Sequence, residues 1–151
     1  MPGISLRRAC DQDSGKFWYI ANLPYIRRES FSPQAITPED HVKWWAKRVA
    51  ENQPSYVVED SETQEFVGYV RFTIVGNEAE ISVALLDRLH GKGYGQEAIR
   101  VGCKLLAEEY PGVNKIHSSI KADNGKSLAA FIKAGFHYER VEHKLTLDLT
   151  A

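Results

Sequence analysis

Between Glu78 and Tyr110 the sequence reads EAEISVALLDRLHGKGYGQEAIRVGCKLLAEEY, passing from alternating strand residues, through a loop bearing Gly91, Gly93 and Gly95, into a long amphipathic segment with no proline. A strand that feeds a glycine loop and then a helix constrains the fold more than anything else in the chain. Glycines let the backbone turn several N–H groups toward one point, and the first turn of the following helix adds unpaired donors and the positive end of its dipole. The result is a cradle for an anion, and a phosphorylated ligand is what it fits.

Spacing separates the loops that could be meant. A nucleotide-binding P-loop needs Gly-Lys followed at once by Ser or Thr, whereas Lys92 is followed by Gly93. A dinucleotide fingerprint starting at Gly91 needs a small residue where Gln96 stands, and a buried parallel strand before it. The run EAEISVALL alternates acidic and apolar residues instead.

At 151 residues the chain fits one domain, 1–151, large enough for a single core. A net charge of −1 gives no basis for a polyanion such as nucleic acid as main partner. Cys10 and Cys103 lie far apart without a C-x-x-C spacing, so both read as free thiols in a reducing cytoplasm. The start MPGISLRRACDQD has no apolar signal core and no run reaches membrane-spanning length, so no membrane partner is expected.

Along the chain, Ile4 to Arg8 predicts a strand, and Asp11 or Asp13 offers an N-cap for a helix through GKFWYIANL ended by Pro24. Tyr25 to Pro38 reads as a loop with one turn of helix at most. Thr37 caps a second helix running to about Glu51, with Pro38 at its first position and Val42, Trp45, Ala46 and Val49 as its apolar stripe. Strands are expected over Ser55 to Glu59, Phe66 to Val75 and Glu78 to Leu86, the last two joined in a hairpin by Gly76-Asn77. A helix from Gly95 to Tyr110 buries Ile99, Gly102, Cys103, Leu106 and Tyr110. A strand at Lys115 to Ile120, a helix from Ser127 to Ala134 closed by Gly135, and strands at Phe136 to Glu139 and Lys144 to Leu149 complete the order.

Two motifs in this order carry a resemblance. His90-x-x-Gly93-x-Gly95 follows a strand, and Asn124, Ser127, Phe131, Gly135 and Phe136 stand at the spacing N-x-x-S-x-x-x-[YF]-x-x-x-G-[FY]. Together they resemble the GCN5-related N-acetyltransferase (GNAT) family. The resemblance implies an α/β fold, a mixed, mostly antiparallel twisted sheet of about seven strands splayed at the cofactor site, with about four helices. It implies acetyl-CoA as acyl donor, with no metal. Backbone groups of Val83, Ala84 and Leu85 would hold the pantetheine chain, and one of their N–H groups would face the developing oxyanion. N–H groups of His90, Gly91, Lys92, Gly93, Tyr94, Gly95 and Gln96 would bind the pyrophosphate. Asn124 would position the cofactor arm, and Ser127 and Phe131 would line the thioester region. The family has Arg or Gln where this chain has His90, which weakens phosphate binding unless Lys92 compensates. Taken singly, Asn124, Ser127 and Phe131 read equally as a turn residue, an N-cap and core.

Acetyl transfer to an amine needs a base, a polarised carbonyl and a proton for the thiolate. The family commonly places a carboxylate on the strand before the loop. Glu78 and Glu80 are the candidates, on one face with Ser82 by the period of a strand, and Glu80 is the nearer to the thioester region. Many relatives have tyrosine where this chain has Phe131, so Tyr138, Ser127 or bound water would take the place of that phenol, or the thiolate would leave unprotonated. Without the phenol, an acyl-CoA-binding sensor or interaction domain stays open beside the enzyme. No G-x-S-x-G occurs, and the five histidines show no H-x-x-x-H spacing, so serine and zinc chemistry have no support.

The acceptor in this family is set by the first two helices and their connection, where Tyr25, Arg27, Arg28, Ser30, His41 and Trp44 stand. Arginines beside aromatics suit an anionic, ring-containing small-molecule amine. The spacing of Arg28 and Ser30, then Ile36, His41 and Trp44, resembles acetyltransferases acting on amino sugars of nucleotide-sugar and surface-polysaccharide pathways; a peptide N-terminus is the competing acceptor. Members of the family are commonly dimers, so a homodimer is a further expectation, although no stretch of the sequence locates an interface.

Overall fold

Residues 3–121, 124–139 and 144–149 are described by the computed structural model. Within them the chain runs β1 (Ile4–Arg8), α1 (Ser14–Ala21), α2 (Pro24–Arg28), α3 (Pro38–Ala50), β2 (Ser55–Asp60), β3 (Phe66–Val75), β4 (Glu78–Leu85), α4 (Tyr94–Glu109), β5 (Lys115–Ser119), α5 (Gly125–Lys133), β6 (His137–Glu139) and β7 (Lys144–Asp148). The strands form one sheet in the order β1-β2-β3-β4-β5-β7-β6. Every pairing is antiparallel except β4 with β5. This is the mixed, mostly antiparallel α/β fold that the sequence predicts, with α2 as an additional helix. Pro24 opens α2 at its first position rather than closing α1, because a residue with φ already fixed and no N–H to satisfy costs nothing there.

The β3–β4 hairpin turns at Gly76, whose φ of +63° takes the left-handed conformation open to glycine. One face of the sheet, carrying Val70 and Phe72 of β3 with Ala79 and Ile81 of β4, packs on Ile99, Cys103 and Leu106 of α4. Helix and sheet meet closely because Gly102 has no side chain: a Cβ there would stand 2.8 Å from Cγ1 of Val70. The opposite face carries Tyr69 and Ala84 under Phe17 and Ile20 of α1, where Phe17 stacks on Tyr69 with centroids 4.8 Å apart.

Two local expectations are corrected. Asp13 does not cap α1 with its side chain. Its carboxylate instead takes a bidentate pair from Arg7 at 2.9 Å and further bonds from Lys16 Nζ and the Cys10 N–H, joining β1 to the start of α1. The stripe of α3 is also rotated: of its four expected members only Trp45 faces inward, against the Phe17 cluster, and Ala46 is exposed. Val42 and Val49 are 65% and 53% exposed, while His41 and Arg48 are buried with Trp44 and Trp45 half-buried beside them. That face has the same helical spacing, and most of its polar groups are met: His41 Nε2 contacts Ser14 Oγ and O at 2.9 Å, and Arg48 reaches the carbonyls of Pro54 and Phe72. His41, Trp44 and Arg48, with most of the polar atoms of His41 and Arg48 bonded, bury more surface beside Trp45 than two valines and an alanine.

Candidate active site

A cleft of about 530 Å³ opens between the C-terminal end of β4, the N-terminus of α4, α5 and α2. Its origin is the β4–β5 junction. The two strands pair only from Glu78 with Lys115 to Glu80 with His117, and beyond that rung they separate. The hydroxyl of Ser118 donating to the Ile81 carbonyl at 3.3 Å is the last bond across. On its other edge β4 stays paired with β3 through Leu85, and the N–H of Leu86 donates to Val67. Ladder bonds alternate along a strand, so the even residues Ser82 and Ala84 turn their amides to β3 while Val83 and Leu85 turn theirs to the gap. Of the three residues expected to hold an extended amide chain, two therefore present free backbone groups to it, and Ala84 does not.

The glycine loop closes one end. Gly91 and Gly93 have φ of +76° and +83°, and Gly93 is the N-cap of the sixteen-residue α4. Among the described residues no hydrogen bond runs from the backbone N–H groups of Gly91 to Gln96, whereas the His90 N–H donates to the Asp87 carbonyl at 3.0 Å. The set of available donors thus begins one residue later than expected. It includes Lys92 and Tyr94 as well as the three glycines, and the helix dipole favours an anion at the same point. The His90 ring lies 3.1 Å from Asp87 Oδ1 and edge-on to Tyr25. The Gln96 side chain donates to the Lys133 carbonyl at 3.3 Å, tying α4 to α5.

Helix α5 forms the facing wall. Asn124 caps it by accepting from the Ser127 N–H at 3.2 Å, and Asn124, Ser127 and Phe131 all line the cleft. Phe131 is buried edge-to-face on Phe136. Tyr138 lies on β6, and its side chain is outside the described residues.

Glu78 and Glu80 project from the face of β4 opposite α4, below the point where the strands part. Both side chains are partly exposed and neither lines the cleft wall itself. His117 lies between them, with Nδ1 3.8 Å from Glu78 and Nε2 4.0 Å from Glu80, and Ser119 Oγ is 3.5 Å from Glu80.

The residues expected on the acceptor side divide. Tyr25 lines the cleft and its hydroxyl accepts from the Asp87 N–H at 2.7 Å, with burial raising its pKa. Arg28 lines the cleft, 3.8 Å from Glu29. Arg27 does not: its guanidinium donates to the Ser32 and Gln34 carbonyls and to the Ser30 hydroxyl, closing its own loop. Ser30 is in turn bonded to the Ile26 carbonyl. His41 is the buried joint between α3 and α1, where burial lowers its pKa. Trp44 stands beside it, between two guanidinium groups.

The sequence matches the acetyltransferase (GNAT) domain family over residues 4–137. The chain belongs to the GNAT acetyltransferase family. Among solved structures it is similar to a domain from Methanocaldococcus jannaschii DSM 2661, at 23% identity over 99% of this chain and 100% of that one, with a TM-score of 0.86. The spermidine N-acetyltransferase from Vibrio cholerae, solved with CoA and spermine, gives 17% identity, 97% and 96% coverage and a TM-score of 0.80. AAC(6')-Ib, solved with ribostamycin and coenzyme A, gives 18% identity, 98% and 94% coverage and a TM-score of 0.79. No curated protein matches the sequence.

For a GNAT acetyltransferase, the residues present fit an acyl-CoA: unpaired amides along Val83 and Leu85 lead to a ring of unpaired N–H groups at the loop. Among the described residues no cluster of His, Cys, Asp or Glu is arranged to hold a metal, and no helix is long and apolar enough to cross a membrane. Sequence reasoning missed His117 and Arg71. His117 could have been found from the strand period that sets it beside the end of β4, had the parallel register been known. Arg71 of β3, whose Cζ lies 5.1 Å from the Trp44 ring centroid, gave no signal, because a lone arginine in a strand reads as solvated.

Proposed function

We propose that this GNAT acetyltransferase transfers acetyl from acetyl-CoA to the primary amine of a small molecule, and that the acceptor is a nucleotide-linked amino sugar. The observation that carries the donor half is the unpaired N–H set of Gly91 to Gln96 at the mouth of the gap beside Val83 and Leu85. For the acceptor half, support comes from aromatic and guanidinium groups on the α1–α3 side of the sheet, Tyr25 and Arg28 at the cleft and Trp44 behind it.

Bound acetyl-CoA supplies an activated acyl carbon: a C–N bond forms as the C–S bond breaks, and N-acetylamine and free thiol leave with one net proton released. Glu80 takes the ammonium proton through water, its carboxylate steadied by His117 and the Ser119 hydroxyl. The N–H of Val83 or Leu85, already aimed into the gap, faces the developing oxyanion. The second amine proton goes to the thiolate, carried by Ser127, Tyr138 or water. Phe131 has no hydroxyl to help, which keeps a non-catalytic acyl-CoA-binding domain as the second reading.

Thiol release from acetyl-CoA, followed across nucleotide-linked amino sugars, polyamines, aminoglycosides and N-terminal peptides, decides among these. Turnover with the amino sugars is expected. Turnover confined to peptides removes the sugar acceptor, and acetyl-CoA binding without release of thiol for any amine favours the sensor.

A further inference from the structure

Among the described residues, one guanidinium on the acceptor side has neither a carboxylate within 4.0 Å nor a hydrogen bond to the protein. Arg71 lies in register with Ser82 across the β3–β4 ladder, and the next residue on that face of β4 is Glu80. Arg71 is half-buried, its Nε is shielded from solvent and donates to nothing, and among the described residues no carboxylate comes within 4.0 Å of it. Its neighbours are ring faces, with Cζ 5.1 Å from the centroid of Trp44 and 5.9 Å from that of Tyr69. A second guanidinium, Arg48, stands 5.3 Å from the same indole.

Arg48 is held through its Nη atoms, although its Nε, like that of Arg71, is buried without a partner among the described residues. Its Nη atoms donate to the Pro54 and Phe72 carbonyls and to the Ser55 and Thr73 hydroxyls, which fixes it as the tie between α3 and the sheet. Burial first, and then the charge of Arg71, push its pKa down to about 10. Two like charges therefore share one indole, and of the two Arg71 makes no hydrogen bond to another described residue, with its Nε shielded from solvent. Cation–π contact alone does not replace the water such a group gives up, and buried charges are ordinarily paired. Of the arginines expected to recognise an anion, Arg27 closes its own loop, and Arg28, at the cleft, already has the Glu29 carboxylate 3.8 Å away.

We propose that Arg71, stacked on Trp44 and backed by Arg48, is the seat for a negatively charged group on the acceptor, a phosphate or a carboxylate. The inference rests on the acetyl-transfer reading and narrows it. The acceptor is an amine that also carries an anion, with the amine at Glu80 and the anion at Arg71, positions about 7 Å apart as diagonal neighbours on one sheet face. A planar fork of N–H donors suits either oxyanion. A polyamine would bring positive charge against an uncompensated guanidinium and is disfavoured.

The test compares matched acceptors on the full chain: glucosamine 6-phosphate with glucosamine, methionine with methioninamide, and spermidine as the cation. In the wild type, kcat/KM for at least one anionic member exceeds that of its uncharged or cationic partner tenfold or more, and the pair showing it tells phosphate from carboxylate. Arg71→Met collapses that ratio toward one, chiefly through KM, and Arg71→Lys restores part of it, while the melting temperatures of both variants confirm folding. A ratio near one in the wild type, spermidine as the best acceptor, or equal losses for both members in Arg71→Met overturns the seat while leaving acetyl transfer intact. Calorimetric titration of glucosamine 6-phosphate and of methionine into protein saturated with coenzyme A reads the seat without turnover. Binding to wild type that Arg71→Met abolishes, with no thiol release for any amine, keeps the seat and removes the acetyl-transfer reading. No binding of either, together with no anion preference, overturns the seat.

Discussion

Glu80 and His117 face each other across the last rung at which β4 and β5 still pair, carboxylate Oε2 to imidazole Nε2 at 4.0 Å. One residue further along β4 the strands begin to part, so the pair stands at the root of the gap proposed to receive the acyl donor. Glu80→Gln is expected to lower kcat by about 10² to 10³, the range for a lost general base, and to leave acetyl-CoA affinity unchanged. His117→Ala should lower kcat by less, because it steadies the carboxylate without itself taking the proton. Steady-state kinetics with a saturating amine, beside calorimetric binding of acetyl-CoA, check both. Unaltered kcat in Glu80→Gln would take Glu80 out of the mechanism.

The loop depends on glycine where φ is positive. At Gly93, with φ of +83°, a β-branched residue carries a conformational cost of about 1–2 kcal/mol, and it sits at the point where α4 begins. Gly93→Val is predicted to weaken acetyl-CoA binding by about tenfold, since the loop relaxes by turning its N–H groups away. Calorimetry measures it, and full affinity in a folded variant would show that the loop's shape is not what binds.

Gly102 and Gly15 form a matched pair in helices. A methyl at Gly102 must displace Val70, whereas at Gly15 nothing lies within 4 Å. Gly102→Ala is predicted to destabilise by about 1–3 kcal/mol through overpacking, and Gly15→Ala to stabilise by up to about 1 kcal/mol through helix propensity. Urea denaturation of the two variants would register opposite signs.

Asp13 makes stability depend on acid. The Arg7 guanidinium first, and then the Cys10 N–H and Lys16, hold its carboxyl well below the usual carboxylate range. A folded-state pKa below the unfolded one gives stability that is complete above the unfolded value, about 3.9, and is lost as pH falls toward the folded one. Asp13→Ala should cost about 3 kcal/mol at pH 7, with Arg7 left facing a vacant position. The difference in melting temperature between wild type and variant should narrow between pH 5 and pH 2. A difference independent of pH would mean that the bonds to Asp13 do not select its ionised form.

The fold was legible because its period signals are strong where they matter. β3, β4 and α4 carry long regular patterns, and Gly76, Gly91 and Gly93 mark the turns with the φ values that glycine permits. The buried face of α3 was not legible. A hydrophobicity pattern chooses Val42, Trp45, Ala46 and Val49, while packing kept Trp45 and added His41, Trp44 and Arg48, of which His41 and Arg48 find bonding partners only in three dimensions. In the same way Arg27, Arg28 and Arg71 look alike in sequence. Among the described residues, the bonds of Arg27 to its own loop, the Glu29 contact of Arg28 and the ring contacts of Arg71 without a hydrogen bond separate them.

The central claim is the seat of the donor's diphosphate, and a crystal structure of the protein with coenzyme A tests it most directly. The account predicts pyrophosphate oxygens within hydrogen-bond distance of the N–H groups between Gly91 and Gln96, with the pantetheine amides paired to Val83 and Leu85. Coenzyme A bound away from that loop, or excluded from the gap between β4 and β5, would contradict it.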